Sequence, residues 1–374
     1  MTFVDYKQLD KKILELSNSS QMNLLSYVNP LNIDEEKIKF LNEFKQGNEY
    51  NPVFKYKSKN PLYSYFALKP TFETYKNELK ELLKNTGDSS FSLLCEGKIF
   101  DLIERIELLK SIGTANFSEN SNGFFGAPDN KLYKLALNII KKEIKPNNSR
   151  KVSLNEAQNV IKRFLEKKKI NYKIVLRDSS SSNFSVFPKI KTLYINKNIK
   201  FNSDSLKRGI AHEIETHIYR YENGLTQPYS IFALGTSKQT LETEEGLAVN
   251  MELSKNLEIE FQLKIYAGRT VAIMLASKKS FYETYKFLID YFSEDEAFEF
   301  TLRAKRGTFK TSDPGAFTKD LLYFRGMFVV RDFLKENPIE DLYYGKYSVS
   351  ETAIVKGVAG IKFPKFLPNV GGSD

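Results

Sequence analysis

Two histidines in one short segment constrain this chain more than any other feature of its sequence. His212 and His217 are the only histidines among the 374 residues, and Glu213 follows the first of them. Isoleucines at positions 210, 214 and 218 recur four residues apart, and this spacing predicts a helix with one buried face. Two imidazoles beside a carboxylate on a helix are typical of zinc hydrolases. In such sites the histidines bind the metal, and the glutamate is the general base that deprotonates the water at the metal.

The two histidines are one residue further apart than in the common zinc-protease motif H-E-x-x-H. In a regular α-helix, residues five apart project roughly 140° from each other, so the rings would not face one ion. Thr216 occupies the position one turn after His212. Either the histidines are unrelated polar residues, or the helix carries one extra residue between them. Because a π-turn closes between residues i and i+5 and is frequent at functional sites, we expect a π-bulge within residues 212–217.

A third metal ligand is expected from the segment Glu244-Glu245-Gly246-Leu247-Ala248. A catalytic zinc takes three protein ligands and keeps one position open for water. We favour Glu245 as the ligand, and we expect Glu244 to orient one of the histidines from behind. Gly246 and Ala248 are small and would let this second helix approach the first closely. The alternative interpretation is that the paired glutamates only complement the positive end of a helix dipole.

Three segments carry a family resemblance. They are His-Glu-Ile-Glu-Thr-His at 212–217, Glu-Glu-Gly-Leu-Ala at 244–248, and Lys-Arg-Gly at 305–307 with Pro-Gly-Ala-Phe-Thr-Lys-Asp at 314–320. In this order they resemble the microtubule-associated tyrosine carboxypeptidases and their bacterial relatives, the QEGLA-motif proteins, which are zincin-like metallopeptidases. The resemblance runs from about residue 155 to 326. Glu215 stands where the family has glycine, and Glu244 stands where the bacterial motif has glutamine. The second departure leaves open which of Glu244 and Glu245 binds zinc.

The resemblance implies a zinc-dependent carboxypeptidase that removes a C-terminal residue, an aromatic one such as tyrosine, from a peptide or protein tail. Such an enzyme must bind a free carboxylate. Arg306 and Lys319 are our candidates, and the sequence leaves open which of the two binds it. Tyr323 is the candidate for stabilising the oxyanion of the tetrahedral intermediate. Two alternatives stay open. One is an endopeptidase or aminopeptidase with the same zinc site, and the other is a non-catalytic basic module that binds acidic tails or nucleic acid.

The periodicity predicts an α+β fold that is mostly helical. A helical amino-terminal region is expected over 1–129, ending in a surface loop at 113–129, and a zinc peptidase domain over 130–374. Short strands are expected just before the histidine helix, at 172–176, 184–187 and 191–195. A small sheet followed by the active-site helix is the layout of a thermolysin-like zinc hydrolase core. There the edge strand pairs with the substrate backbone, and Phe184 and Val186 are our candidates for this role.

Composition narrows the choice of partners and compartment. The 56 Lys and Arg residues exceed the 46 Asp and Glu residues, giving a net charge of +10 that favours acidic partners such as an acidic peptide tail. The lysines are spread along helices rather than clustered, so nucleic acid is a poor candidate. No apolar run approaches the roughly 20 residues of a membrane span, and the first residues lack a signal-peptide core. The lone Cys95 predicts a buried structural thiol and a reducing, cytoplasmic location.

Overall fold

The chain divides into two compact units, each made of several segments. The computed structural model describes residues 5–19, 22–56, 61–144, 149–178, 184–198, 200–257 and 259–369. The first unit comprises Met1–Glu143, Thr236–Gln239 and Leu263–Arg325, and the second comprises Ile144–Gly235, Thr240–Gln262 and Gly326–Asp374. This division differs from the boundary expected at residue 129, because downstream segments return to the first unit.

Helices dominate both units. Up to residue 140 they are α1 (Tyr6–Ser17), α2 (Leu24–Val28), α3 (Ile33–Lys45), α4 (Pro61–Leu83), α5 (Ser90–Ser111), α6 (Phe117–Phe125) and α7 (Asn130–Ile140). Around the histidines they are α8 (Leu154–Lys167), α9 (Ser203–Gly209), a π-helix (Ile210–Ile218), α10 (Tyr219–Thr226), α11 (Ile231–Leu234) and α12 (Thr240–Ser254). They continue with α13 (Ile259–Ala276), α14 (Phe281–Leu288), α15 (Glu294–Lys305), α16 (Leu321–Phe333) and α17 (Thr352–Lys356). Short 3₁₀ turns lie at Pro188–Ile190, Thr318–Asp320, Ile339–Leu342 and Val349–Glu351.

Two small sheets belong to the second unit. The strands are β1 (Lys151–Val152), β2 (Lys173–Arg177), β3 (Phe184–Phe187), β4 (Thr192–Asn196) and β5 (Phe201–Asn202). Strand β1 pairs with β5, and the other sheet has the order β2-β4-β3, with β2 parallel and β3 antiparallel to β4. The three strands expected from the sequence are therefore confirmed within two residues, and the β1–β5 pair was not foreseen. The α+β class is confirmed, while a thermolysin-like core stays a prediction.

The loop expected at 113–129 is wrong, because residues 117–125 form helix α6. The Ser, Asn and Gly residues of this stretch indicated a loop, but Phe117, Phe124 and Phe125 are buried and Ser121 is fully enclosed. Four buried side chains at helical spacing outweigh a composition that favours turns, because burial of each phenylalanine contributes roughly 1.5–3 kcal/mol.

The second unit has a core built around the histidine helix. Isoleucines 210, 214 and 218 of the π-helix are 8%, 0% and 0% exposed, as the four-residue spacing predicted. Helix α8 begins at the N-cap Ser153, whose hydroxyl accepts from the N–H of Glu156 at 3.2 Å. The core is completed from α8, β4 and α12 by Ala157, Ile161, Leu165, Leu193, Ile195, Leu247 and Met251. The sheet thus supports the outer side of the helix that carries both histidines.

The carboxy-terminal segment 361–369 is hydrogen-bonded to helix α10. Asn223 accepts from the N–H of Phe366 at 2.9 Å and donates to its carbonyl at 2.8 Å. Gln227 makes the same pair of bonds with Lys362, at 2.8 and 2.9 Å. Each side-chain amide therefore bonds both the N–H and the C=O of one residue, as an adjacent β-strand does. These four bonds hold the segment against α10.

A buried carboxylate marks the middle of α5 in the first unit. Asp101 is 1% exposed and accepts from Lys98 at 2.8 Å and from Arg105 at 3.1 Å. Burial alone would raise the pKa of Asp101, but the two cations lower it to about 2. On the same helix Cys95 is buried, as predicted, and burial raises the pKa of its thiol.

Across the described residues, no helix is both long and apolar enough to span a bilayer.

Candidate metal centre

The histidine segment Ile210–Ile218 forms a π-helix, so the π-bulge expected within 212–217 is confirmed. The hydroxyl of Thr216 donates to the carbonyl of Ala211, five residues earlier, at 3.0 Å. Because a π-turn closes between residues i and i+5, residues five apart come to one side of the helix. The ring centroids of His212 and His217 accordingly lie 5.0 Å apart.

One carboxylate faces both imidazoles. Glu245 Oε2 lies 3.9 Å from Nε2 of His212 and 3.9 Å from Nε2 of His217. One ligand atom from each of the three residues can be chosen such that all lie within 4.8 Å of one another. Tetrahedral zinc with bonds of about 2.0–2.2 Å separates its ligand atoms by roughly 3.4 Å. Small side-chain rotations would therefore bring two nitrogens and one oxygen onto a single ion.

The other nitrogen of each ring is held by a second carboxylate. Nδ1 of His217 lies 2.8 Å from Glu244 Oε1, and Nδ1 of His212 lies 2.5 Å from Glu252 Oε1. A carboxylate on Nδ1 fixes the tautomer that leaves Nε2 available to a metal and raises the basicity of the ring. The geometry thus favours Glu245 as the ligand and Glu244 as the residue that orients His217, as the sequence analysis preferred.

Two cations, Arg220 and Lys346, balance the charge of Glu244. Arg220 Nη1 donates to Glu244 Oε2 at 2.5 Å, and Lys346 Nζ lies 2.8 Å from Oε1. Burial alone would raise the pKa of Glu244, but Lys346 and Arg220 hold it well below its usual range. Arg220 is itself fully buried and donates to the carbonyls of Leu342, Gly345 and Tyr347. Glu244 is therefore a fixed anion that holds His217 in place.

The glutamates around the two rings make the electrostatic potential of the site negative. Glu213 follows His212 on the π-helix and is partly exposed. Burial alone would lower the pKa of His212, but the hydrogen bond to Glu252 and the charges of Glu213 and Glu245 raise it to about 9. The same negative potential favours a divalent cation between the rings. Two imidazoles and one carboxylate, with Glu213 next to the first imidazole in sequence, match the ligand set of a catalytic zinc.

Helix α12 packs closely against α16 because each helix has a glycine at the point of contact. A Cβ placed on Gly246 would lie 2.2 Å from the backbone of Gly326 in α16, and one on Gly326 would lie 2.3 Å from the carbonyl of Glu242. Ala248 is fully buried. The close approach of Gly246 is therefore to α16, and the approach to the histidine helix expected of Gly246 and Ala248 stays a prediction. The contact with α16 fixes the helix that carries three of the site's acids.

The edge strand β3 lies next to the histidine helix. It pairs with β4 on one side, as Val186 opposite Leu193 shows. The ring of Phe184 fills the space where Gly209 lacks a side chain, at 2.3 Å from an added Cβ. Phe184 and Val186 are partly buried against the core of the second unit. Their side chains therefore anchor the strand, and pairing of its backbone with a substrate stays a prediction.

The predicted substrate residues Arg306, Lys319 and Tyr323 belong to the first unit. Arg306 is 5% exposed and its Nη1 donates to Asn29 Oδ1 at 2.6 Å. Lys319 Nζ lies 5.3 Å from the ring centroid of Tyr323, and both side chains are partly buried. The structure thus brings Lys319 and Tyr323 together, and the roles expected for all three residues stay predictions.

The sequence analysis missed three residues that contact the candidate site. Glu252 stands seven residues after Glu245, which is two helical turns, so both acids project from one face of α12. That spacing was a usable signal. Arg220 lies three residues after His217 on the same helical run and could also have been suspected. Lys346 comes from a distant loop, and its contact with Glu244 depends on tertiary structure alone.

Comparison with known proteins identifies the family of this chain. The sequence profile described as "Microtubule-associated tyrosine carboxypeptidase" matches residues 42–370. A human protein named "Putative tyrosine carboxypeptidase MATCAP2" is 30% identical over 177 residues, which are 43% of this chain and 32% of that protein. The mouse protein of the same name is 24% identical over 364 residues, which are 94% of this chain and 60% of the relative.

A further relative is the human "Microtubule-associated tyrosine carboxypeptidase 1", which is 33% identical over 127 residues, or 32% of this chain and 26% of that protein. The chain therefore covers less than two thirds of the length of each of these relatives. The family profile, in contrast, spans most of the 374-residue sequence. The chain belongs to the microtubule-associated tyrosine carboxypeptidase family.

Proposed function

We propose that this chain is a zinc-dependent carboxypeptidase that removes a C-terminal residue, tyrosine or another aromatic one, from a peptide or protein tail. The observation that carries the proposal is the convergence of His212, His217 and Glu245 at one point beside Glu213, made possible by the π-turn. The names of the relatives support the carboxypeptidase class. The net charge of +10 supports an acidic tail as the partner. A cytoplasmic location stays a prediction.

His212, His217 and Glu245 would hold the zinc, with Glu252 and Glu244 keeping the two rings in the ligating tautomer. When bound, zinc would lower the pKa of a coordinated water and polarise the scissile carbonyl. Glu213 accepts the proton of the attacking water and then delivers it to the leaving amine as the peptide bond breaks. Tyr323 is proposed to donate a hydrogen bond to the oxyanion.

Digestion of matched peptides tests the proposal. The panel contains one sequence with a free or amidated C-terminus and with a free or acetylated N-terminus, and products are read by intact mass. A carboxypeptidase removes one terminal residue from the free C-terminus regardless of acetylation, and amidation protects the peptide. Loss of the first residue would indicate an aminopeptidase, and an internal cut would indicate an endopeptidase.

A substitution at the proposed base separates catalysis from binding. Glu213→Gln should lower kcat by about 10²–10⁴-fold, the range for general acid–base catalysis, while the zinc content stays at one ion per chain. Glu260→Gln, an exposed glutamate in the first turn of α13, is the matched control and should keep full activity. If the wild-type chain cleaves no peptide and still binds peptides after zinc is removed, the chain is instead a binding module.

A further inference from the structure

Four side chains that contact the carboxy-terminal segment share one side of the helical run that contains the histidines. Glu215 lies on the π-helix, Tyr219 and Asn223 lie on α10, and Gln227 follows the last residue of α10. These positions are four residues apart, so their side chains project in similar directions. We call these four residues the α10 face. Glu215 contacts the end of the segment and Gln227 its beginning, so the segment runs antiparallel to the helical run.

The α10 face bonds the main chain of the segment. Asn223 and Gln227 each bond the N–H and the C=O of one residue. Two side chains bond Asn369 in the same way, because Glu215 Oε1 accepts from its N–H at 3.3 Å and Lys255 Nζ donates to its carbonyl at 3.1 Å. Main-chain hydrogen bonds of this kind supply affinity for an extended peptide, whatever its sequence.

One aromatic side chain of the segment adds selectivity. The ring of Phe366 lies 5.6 Å from that of Tyr219, centroid to centroid, and packs against the core of the second unit. Pro364 is also buried, and a proline restricts the residue before it to extended conformations. Phe363, in contrast, is 66% exposed. The α10 face thus suits an extended peptide with one aromatic side chain placed opposite Tyr219.

The contact with Asn369 also bears on the metal centre. Glu215 is 3% exposed and lies between the two histidines on the π-helix, and its Oε2 lies 2.8 Å from Lys255 Nζ. Lys255 directly follows α12, the helix that carries Glu245. This ion pair therefore links the two elements that hold the proposed metal ligands. Asn369 bonds both partners of the pair, and ion pairs shielded from water are stronger than exposed ones.

We propose that the α10 face is a binding site for an extended peptide, that residues 362–369 are its ligand within the same chain, and that docking of this ligand strengthens zinc binding. The last part rests on the proposed function, because it takes zinc as the occupant of the metal centre. Coupled binding equilibria are reciprocal, so zinc must in turn strengthen docking of the segment.

The docking site is tested by amide hydrogen exchange of the intact chain, read by mass spectrometry for residues 361–369. Gln227→Ala removes the two bonds to Lys362 and should speed exchange of the segment by about 5- to 100-fold, the range for two hydrogen bonds. Its matched control is Gln158→Ala, which changes a partly exposed glutamine of α8 in the same unit.

A second pair of variants lies on the segment itself. Phe366→Ala should speed exchange because its ring leaves Tyr219, whereas the exposed Phe363→Ala should match the wild type. Exchange in α8 reports whether each variant is still folded. Exchange of the segment that stays within about two-fold of wild type in both Gln227→Ala and Phe366→Ala would overturn the docking site.

The coupling is tested by repeating the exchange with and without saturating zinc. Zinc should slow exchange of the segment in the wild type by about 5-fold or more, the usual size of coupling between two sites. Glu215→Gln removes the charge that pairs with Lys255, so the effect of zinc should fall to about two-fold or less. Equal exchange with and without zinc in the wild type would overturn the coupling.

The peptide digestion described above is run on the same preparations, so failure of this inference is distinguishable from failure of the proposed function. Protection of the segment by zinc without any cleavage would retain the coupling and reject the carboxypeptidase. Cleavage of the terminal residue, with segment exchange that ignores zinc, would retain the carboxypeptidase and reject the coupling.

Discussion

Replacing Glu252 by glutamine should weaken zinc binding without abolishing it. Glu252 is 6% exposed, and its Oε1 lies 2.5 Å from Nδ1 of His212. Glutamine can still accept that hydrogen bond but carries no charge. A hydrogen bond to a charged group contributes about 1.5–3 kcal/mol and a neutral one about 1 kcal/mol, so the loss is about 0.5–2 kcal/mol. This corresponds to an increase of roughly 2- to 30-fold in the Kd for zinc, near the lower end of the range for residues that support metal ligands.

The assay is competition for zinc against a chromophoric chelator at a fixed pH of about 7.5, because protons compete with zinc for His212. Glu252→Ala serves as the stronger perturbation and should increase the Kd further, since the ring loses its acceptor. Glu260→Gln, on the surface, should leave the Kd unchanged. A Kd for Glu252→Gln within about two-fold of wild type would refute the argument that this carboxylate tunes a metal ligand.

Two further predictions concern the framework. Gly246→Ala should destabilise the chain by about 1–3 kcal/mol or more and weaken zinc binding, because its Cβ would overlap the backbone of Gly326. The control is Gly123→Ala, which changes a helical glycine with open space around it. Equal thermal unfolding midpoints for the two variants would contradict the close approach of Gly246 to Gly326. Asp101→Asn should reduce the free energy of unfolding at neutral pH by about 2–3 kcal/mol, since a folded pKa of about 2 lies below the ordinary value of 3.8. That stability is present above pH 3.8 and is lost as the pH falls towards 2. In urea titrations the difference in free energy of unfolding between wild type and variant should therefore shrink over this pH interval, and a difference that stays constant would contradict the prediction.

Features that depend on neighbouring residues in the sequence could be predicted. The spacing of His212 and His217 required a π-turn if the two residues were to act together, and the structure has one at that place. The hydroxyl of Ser153 caps α8, as the Ser-x-x-Glu pattern indicated. The strand containing Phe184 was predicted within its observed bounds. In each case the decisive interaction lies within a few residues of chain.

Features that depend on tertiary packing could not be predicted in the same way. Residues 117–125 were taken for a loop because their composition favours turns, yet their phenylalanines find a core to fill. Lys346 reaches Glu244 across about a hundred residues of sequence. No local pattern reports such contacts.

The most direct test of the central claim is X-ray absorption at the zinc edge of the zinc-loaded chain. The claim is that two histidines five residues apart bind one ion because the helix between them is a π-helix. The chain has two histidines in total, so the number of imidazoles in the first coordination shell answers the question without ambiguity. The account predicts two imidazoles with oxygen ligands at about 2.0–2.2 Å. A shell with one imidazole or none would contradict it.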